Sequence, residues 1–417
     1  MGVVGILSLF FKVIFLNYYL LKSNFKTIDS VSYLSLSDNF SQAYIYSADN
    51  LAAVSLFRTP GYPLFLSIFP SIRSVILAQV ILHLFISIIG ILIFRKIYGS
   101  VNPKLEFGLF SLIQMETSLN VYSFRLLSDI LFAFVAALFV YLLINKLNKD
   151  SNFSVGILLP TILFCLILVR PIGLVLVAVF FILIFLSKYR IFYFKLMIIT
   201  IVMYTSYSAY NFARLGVFTF STVQNEHLLF YQGAAAKAIS NSRTLISTQQ
   251  EEEQIREFNI GSSPSISVRN RYDGHRGVEL IQENKLSFLK LNSIGVVKNL
   301  YGPNRFEIKQ LALDEGRLIK NEPLAIIIVG LSIIITFIIS SAGILGSMFL
   351  SRKTEGGKFI FVLLFLMILF ASGAGAYGRF RVPVAVFLSM YAILFVDYLI
   401  KHRHWVSTKK GDLNCIA

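Results

Sequence analysis

The chain has 417 residues, of which 56% are hydrophobic and only 14% charged, and its mean hydropathy is +0.71. A water-soluble fold of that composition would be left with a large exposed apolar surface, so solubility in water is excluded. The net charge of +16 would suit a nucleic-acid binder, but the basic residues cluster in short loops between apolar stretches, and nucleic acid is not an expected partner.

In chain order, spans are expected near 1–21, 72–94, 105–121, 128–145, 154–169, 172–187, 196–213, 324–350, 359–372 and 383–400. Each approaches the roughly 20 residues that cross a hydrocarbon core as a helix. The run from Leu324 to Leu350 is apolar on every face, unlike the alternating segments of a membrane barrel. The expected fold is an all-α integral membrane bundle of about ten transmembrane helices. It divides into an N-terminal membrane module (1–213) with a structured first outer loop (22–71), a large extracytoplasmic loop region of helical pieces (214–323), and a C-terminal membrane module with its tail (324–417).

Arg95, Lys96 and Lys104, then Lys146 and Lys149, then Lys188, Arg190 and Lys195, share one side of the bundle with Arg352, Lys353, Lys358 and the basic tail. The positive-inside rule makes that side cytoplasmic, with both termini there, in a multi-pass protein of the cytoplasmic membrane. The first span lacks a basic leader region and a small-residue cleavage site, and it reads as a retained helix. Cys165 lies in a span and Cys415 in the tail, too far apart in depth to pair.

The first outer loop carries Arg58-Thr-Pro-Gly-Tyr-Pro63, a rigid entry to the second span. Pro60-Gly61 suits the centre of a type II turn, Pro63 a first helical position, and Tyr62 the interface. Asp29 and Tyr33, four apart, share one face of a helix; the alternative for Asp29 is a helix cap. Arg125, Arg170, Arg379 and Arg381 fall in short outer loops, where isolated arginines are disfavoured. Arg170 and Arg381 stand at helix starts, which favour anions, and a lipid-linked phosphate fits a guanidinium; headgroup snorkelling is the alternative. Glu116, with Asn120 four residues on, is an acid inside the third span: a functional candidate, or a hydrogen-bonding partner for a neighbouring helix.

In the second loop, Gly261 to Pro264 breaks the helical pieces, and Val278 to Leu300 interleaves apolar and charged residues. That pattern suits a helix in the headgroup layer or an ordinary surface helix. His227 beside Glu226 offers two adjacent donors, which do not complete a metal site, so no protein-bound metal and no cofactor are expected.

Four segments together resemble the membrane-embedded GT-C glycosyltransferases, in the bacterial protein-mannosyltransferase-like and aminoarabinose-transferase-like branch. These are Asp29-Ser-Val-Ser-Tyr33, Arg58-Thr-Pro-Gly-Tyr-Pro-Leu-Phe-Leu66, Val169-Arg-Pro171 and Gly378-Arg-Phe-Arg-Val-Pro383. Ser128-Asp129 stands where that group carries Ser or Thr followed by Glu, keeping a carboxylate on a shorter arm. The resemblance implies transfer of a sugar from a polyprenyl-phosphate donor to a glycan, lipid or protein acceptor at the outer membrane face. Asp29 is the expected base, with Arg58, Tyr33, Tyr62, Arg170, Arg379 and Arg381 around the donor phosphate and Asp129 and Glu116 as secondary acids. The rival readings are a surface-polysaccharide polymerase or ligase, a transporter or flippase of lipid-linked sugars, and a membrane scaffold. The near absence of acids from the spans weakens the transporter.

Overall fold

The computed structural model describes residues 25–43, 52–99, 102–148, 153–304, 322–351, 354–375 and 377–414. The span expected over 1–21 and Cys415 lie outside the described residues. Within them the chain is helix and turn, with no strand: an all-α membrane bundle.

The first loop holds α1 (Ile28–Ala43), α2 (Ala52–Phe57) and α3 (Gly61–Ser67). The bundle continues with α4 (Ile72–Tyr98), α5 (Pro103–Met115), α6 (Thr117–Ser123), α7 (Asp129–Leu147), α8 (Phe153–Val169), α9 (Val175–Leu186) and α10 (Arg190–Leu215). A 3-10 turn over Pro171–Leu174 joins α8 to α9. The second loop comprises α11 (Val223–His227), a π-helical turn (Leu228–Gly233), α12 (Ala234–Ser240), α13 (Leu245–Ile260), α14 (Ile266–Glu283) and α15 (Lys285–Tyr301). Then come α16 (Glu322–Leu350), α17 (Glu355–Phe370), a 3-10 turn (Gly378–Val384) and α18 (Ala385–Asn414).

Five helical stretches among the described residues are long and apolar enough to cross a membrane: Ile72–Tyr98, Asp129–Leu147, Arg190–Leu215, Val329–Leu350 and Gly378–Lys401. Leu158–Val169 and Pro171–Leu186 are shorter apolar helices. Local chemistry sets their ends. Ser71 and Ser74 cap α4 reciprocally, satisfying N–H groups that have no partner within the helix. α16 packs along α18, and glycine permits it: a Cβ on Gly346 would lie 2.2 Å from the Tyr391 carbonyl oxygen. Small residues at such crossings let backbones of membrane helices approach closely.

Successive spans alternate in direction, α5 and α6 running on as one. The starts of α4, α7 and α18 and the ends of α6, α8 and α17 therefore meet at one end of the bundle. The opposite end is stitched by Asn148 Nδ2 to the Lys96 carbonyl, 3.0 Å, and by Tyr189 Oη to the Leu147 carbonyl, 3.0 Å. The second loop docks on the first end. Asn299 Nδ2 donates to the Ile368 carbonyl (3.2 Å), Ser372 Oγ to Asn292 Oδ1 (2.5 Å), Ser340 Oγ to the Leu300 carbonyl (2.5 Å) and Asn304 Nδ2 to Ser118 Oγ (2.8 Å). Inside the loop, the buried Glu252 takes Lys237 Nζ at 2.7 Å and Arg276 Nε at 3.0 Å.

Three expectations need correction. The third span is two helices, because Glu116 leaves the helical conformation and its Oε2 accepts from Leu119 N–H, capping α6. The stretch 278–300 breaks at Asn284 into the end of α14 and α15. Pro60 is helical (φ −72°, ψ −17°) and α3 begins at Gly61, so there is no type II turn, and Pro63 is the third residue of the helix. Gly61 is needed for space: a Cβ there would lie 2.7 Å from the backbone of Leu168 and Val169.

Candidate functional site

That close approach brings two chemistry-bearing segments together. Arg58 precedes α3 by two residues of turn, and Arg170 follows Val169 at the end of α8; Thr59 Oγ1 reaches the Val169 carbonyl at 3.5 Å. Asp29 lies in the first turn of α1, which Thr27 and Ser30 fix through the Thr27 N–H to Ser30 Oγ bond, 2.8 Å. Ser30 Oγ in turn donates to the Leu126 carbonyl, 2.8 Å, anchoring α1 to the turn before α7. Asp129 opens α7, and Arg379 lies in the 3-10 turn before α18.

These five residues form one alternating row. Arg58 Nη2 donates to Asp29 Oδ1 at 2.7 Å, and Arg379 Nη1 donates to Asp29 Oδ2 at 3.0 Å. Arg379 Nε reaches Asp129 Oδ2 at 2.9 Å and Oδ1 at 3.1 Å, and Arg170 Nη1 also donates to Asp129 Oδ1. Three guanidiniums against two carboxylates leave one positive charge in excess. The side chain of Asp129 is wholly buried, whereas that of Asp29 retains 34% of its exposure. Burial penalises the charge on Asp29, but Arg58 and Arg379 together outweigh it and hold the carboxyl below its usual range.

Aromatic rings line the row. The Arg58 guanidinium lies 4.8 Å from the Tyr33 ring centre and 4.6 Å from that of Phe57, and its Nε donates to Ser32 Oγ at 3.1 Å. Tyr62 meets Tyr33 edge-on at 4.9 Å, but its hydroxyl is committed to Gln79 Oε1 at 2.8 Å. Tyr33 Oη contacts Ser128 Oγ at 3.3 Å, and Tyr377 Oη accepts from Arg379 Nη1 at 3.3 Å.

Arg381, two residues beyond Arg379, belongs to a different assembly. Its Nε donates to Glu116 Oε1 at 2.8 Å, both side chains being 1% exposed. Nη1 donates to the carbonyls of Asn299, Leu300 and Gly302, and Nη2 to Ser118 Oγ at 2.7 Å. All three nitrogens are thus spent on protein acceptors, which makes Arg381 a clamp joining α6, the end of α15 and the last 3-10 turn. Glu116 is its counter-ion, and Asn120 Nδ2 donates to the Glu116 carbonyl at 2.9 Å. Of the residues singled out from sequence, Asp29, Tyr33, Arg58, Tyr62, Asp129, Arg170 and Arg379 converge, while Glu116 and Arg381 pair beside them.

Sequence reasoning missed Gln79, which holds Tyr62 and also donates to the Arg125 carbonyl at 2.8 Å. A lone Gln in a long apolar helix was the available signal. Tyr377 was missed too, though it directly precedes the Gly378-Arg379 element. Among the described residues no group of three or more His, Cys, Asp or Glu is placed to hold a metal ion.

No family model matches the sequence, and no curated protein matches it. Solved structures similar to the chain include an oligosaccharyltransferase, AglB of Archaeoglobus fulgidus, in complex with an inhibitory peptide and a dolichol-phosphate. That likeness has a TM-score of 0.49 and 12% identity, covering 94% of this chain and 48% of the other. An A. fulgidus oligosaccharyltransferase complexed with Zn and sulfate gives 0.43 and 12%, covering 90% and 46%. This chain spans about half the length of the structures it matches. Likeness of that degree establishes neither family nor activity.

Proposed function

We propose that the chain is a glycosyltransferase of the outer face of the cytoplasmic membrane, moving a sugar from a polyprenyl-phosphate carrier to an acceptor hydroxyl. The observation that carries this reading is the Arg58–Asp29–Arg379–Asp129–Arg170 row. Its single excess positive charge matches the single negative charge of a phosphodiester, and Asp29 is its accessible carboxylate.

Each part has a role in the proposed step. The donor phosphate competes with Asp29 for Arg58 and Arg379, and as those guanidiniums turn to the phosphate the carboxylate is released toward the acceptor. The acceptor oxygen bonds to the anomeric carbon, the bond from that carbon to the phosphate oxygen breaks with its electron pair, and the hydroxyl proton passes to Asp29. Because phosphate leaves as a stabilised anion, no acid need protonate it, and Arg58, Arg379 and Arg170 stabilise the growing charge in a poorly hydrated site. Asp129, fully buried, acts as the fixed counter-ion that aims Arg170 and Arg379. Arg381 and Glu116 serve as structure rather than as phosphate ligand and acid. The motif resemblance implies the same chemistry.

The test is release of labelled sugar from polyprenyl-phosphate donors by the purified protein in lipid. Turnover by wild type that collapses in Asp29→Asn at matched folding supports the assignment. A wild type that consumes no donor but moves labelled lipid across vesicles replaces it with a transporter.

A further inference from the structure

The second loop enters and leaves the neighbourhood of the charged row through two fixed points. Ser221 Oγ donates to the Phe57 carbonyl at 2.8 Å and Thr222 N–H to the Leu56 carbonyl at 3.0 Å, directly before Arg58. Further on, Gln232 Nε2 donates to the Ser372 carbonyl at 2.9 Å, and Ala374 N–H to the Tyr231 carbonyl at 3.4 Å, just ahead of Tyr377 and Arg379. The stretch from Ser221 to Gln232 therefore bridges the two segments that supply Arg58 and Arg379.

This bridge is α11 followed by a π-helical turn, a form that is rare and concentrated at functional sites. The wider turn stacks the His227 and Tyr231 rings at 5.0 Å between centres and 18° between planes. Tyr231 remains 41% exposed. Across from the pair runs Ser372-Gly373-Ala374-Gly375, which brings almost no side-chain bulk. A Cβ built on Gly375 would meet His227 Nε2 at 3.6 Å and a Tyr231 ring carbon at 3.9 Å, ordinary contact distances. A Cβ at residue 375 would thus just touch both rings, and glycine leaves there a gap about one carbon wide. Burial lowers the His227 pKa below its ordinary value, so at neutral pH the imidazole is uncharged and presents one N–H donor and one acceptor.

We infer that His227 and Tyr231 form a binding platform for a sugar ring, the apolar face of the pyranose lying on the exposed part of the Tyr231 ring and one hydroxyl reaching His227 Nε2 through the narrow gap that Gly375 leaves. A flat aromatic surface beside an uncharged, two-way hydrogen-bonding group fits a carbohydrate, which has C–H faces and hydroxyl edges; an anionic ligand would instead favour the guanidinium row nearby. The platform rests on the glycosyltransferase reading and adds where the sugar sits while its phosphate is held at Arg58 and Arg379.

Equilibrium binding to the full-length protein in nanodiscs separates the two ideas. The probes are citronellyl phosphate and a mixture of citronellyl phosphates carrying glucose, galactose or mannose. Wild type is expected to bind the sugar-bearing mixture more tightly than the bare phosphate. Tyr231→Ala and Gly375→Val should each weaken only the sugar-bearing probes, about tenfold, while Tyr231→Phe restores them and all three variants melt as wild type does. If Tyr231→Ala and Gly375→Val bind both probes as wild type does, the platform is wrong and the phosphate row stands. Equal loss of both probes makes the stack merely structural and overturns the platform. Wild type that binds neither probe overturns the glycosyltransferase reading and the platform together.

Discussion

The buried Glu116–Arg381 pair allows an energetic test that is independent of catalysis. In Glu116→Ala, Arg381 keeps its carbonyl and hydroxyl acceptors but loses its carboxylate partner, and α6 loses the Oε2 cap on Leu119 N–H. Breaking a buried pair on one side costs about 3–5 kcal/mol, and loss of a cap adds about 1 kcal/mol. The acceptors that Arg381 keeps place the expected total near the lower end, about 4 kcal/mol. Glu116→Gln keeps a single acceptor oxygen, so either the Arg381 bond or the Leu119 cap is lost and its NH2 faces a donor, which costs about 2–3 kcal/mol. The measurement is reversible unfolding in mixed micelles, run as a double-mutant cycle with Arg381→Met. Because the two charges answer each other, the double variant Glu116→Gln/Arg381→Met should be more stable than Arg381→Met alone. Additive losses, or a Glu116→Ala variant within 1 kcal/mol of wild type, would refute the pairing.

Three further outcomes are expected. Arg379→Lys, which cannot bridge two carboxylates through Nε and Nη1, should lower sugar transfer roughly 100-fold or more, read as kcat in the donor-release assay. Gly61→Ala drives a methyl into the Leu168–Val169 backbone and should cost about 1–3 kcal/mol in the same unfolding experiment, with transfer falling as Arg58 and Arg170 are pushed apart. The depressed pKa of Asp29 fixes the sign of its pH effects. Its ion pairs contribute stability above the unfolded value of about 3.9 and lose it as pH falls through the lower folded value. In the resting protein Asp29 is therefore ionised throughout neutral and mildly acid pH. A stability profile in which Asp29→Asn removes a transition near pH 6 would contradict this.

Sequence made the bundle legible because membrane solvent imposes a simple rule: apolar runs of the right length must become helices that satisfy their own backbones. It also gathered most of the charged row, since arginines stranded at helix ends of one face need anions. It could not separate Arg379 from Arg381. In a 3-10 turn residues advance about 120° each, so two arginines two apart point to different sides, and which side faces the row depends on α6 and α15, far away in sequence. Gly61 was misread because a turn preference is local, whereas its real constraint is the backbone of α8. The break at Glu116 had a visible signal: Gln114, Glu116, Thr117, Ser118 and Asn120 crowd seven positions of an otherwise apolar run, more polarity than an unbroken buried helix would carry.

The Arg381 clamp also bears on the order of assembly. Its guanidinium caps the carbonyls of Asn299, Leu300 and Gly302, groups at a helix end that no residue of α15 can satisfy. Since the ribosome delivers residue 381 about eighty positions after that helix is made, the Asn299 and Gly302 carbonyls wait for the segment that follows α17, whereas the Leu300 carbonyl already has Ser340 Oγ from α16. The end of the large loop thus matures only after α16 and α17 have been made, and truncation ahead of Arg381 would leave it unfinished.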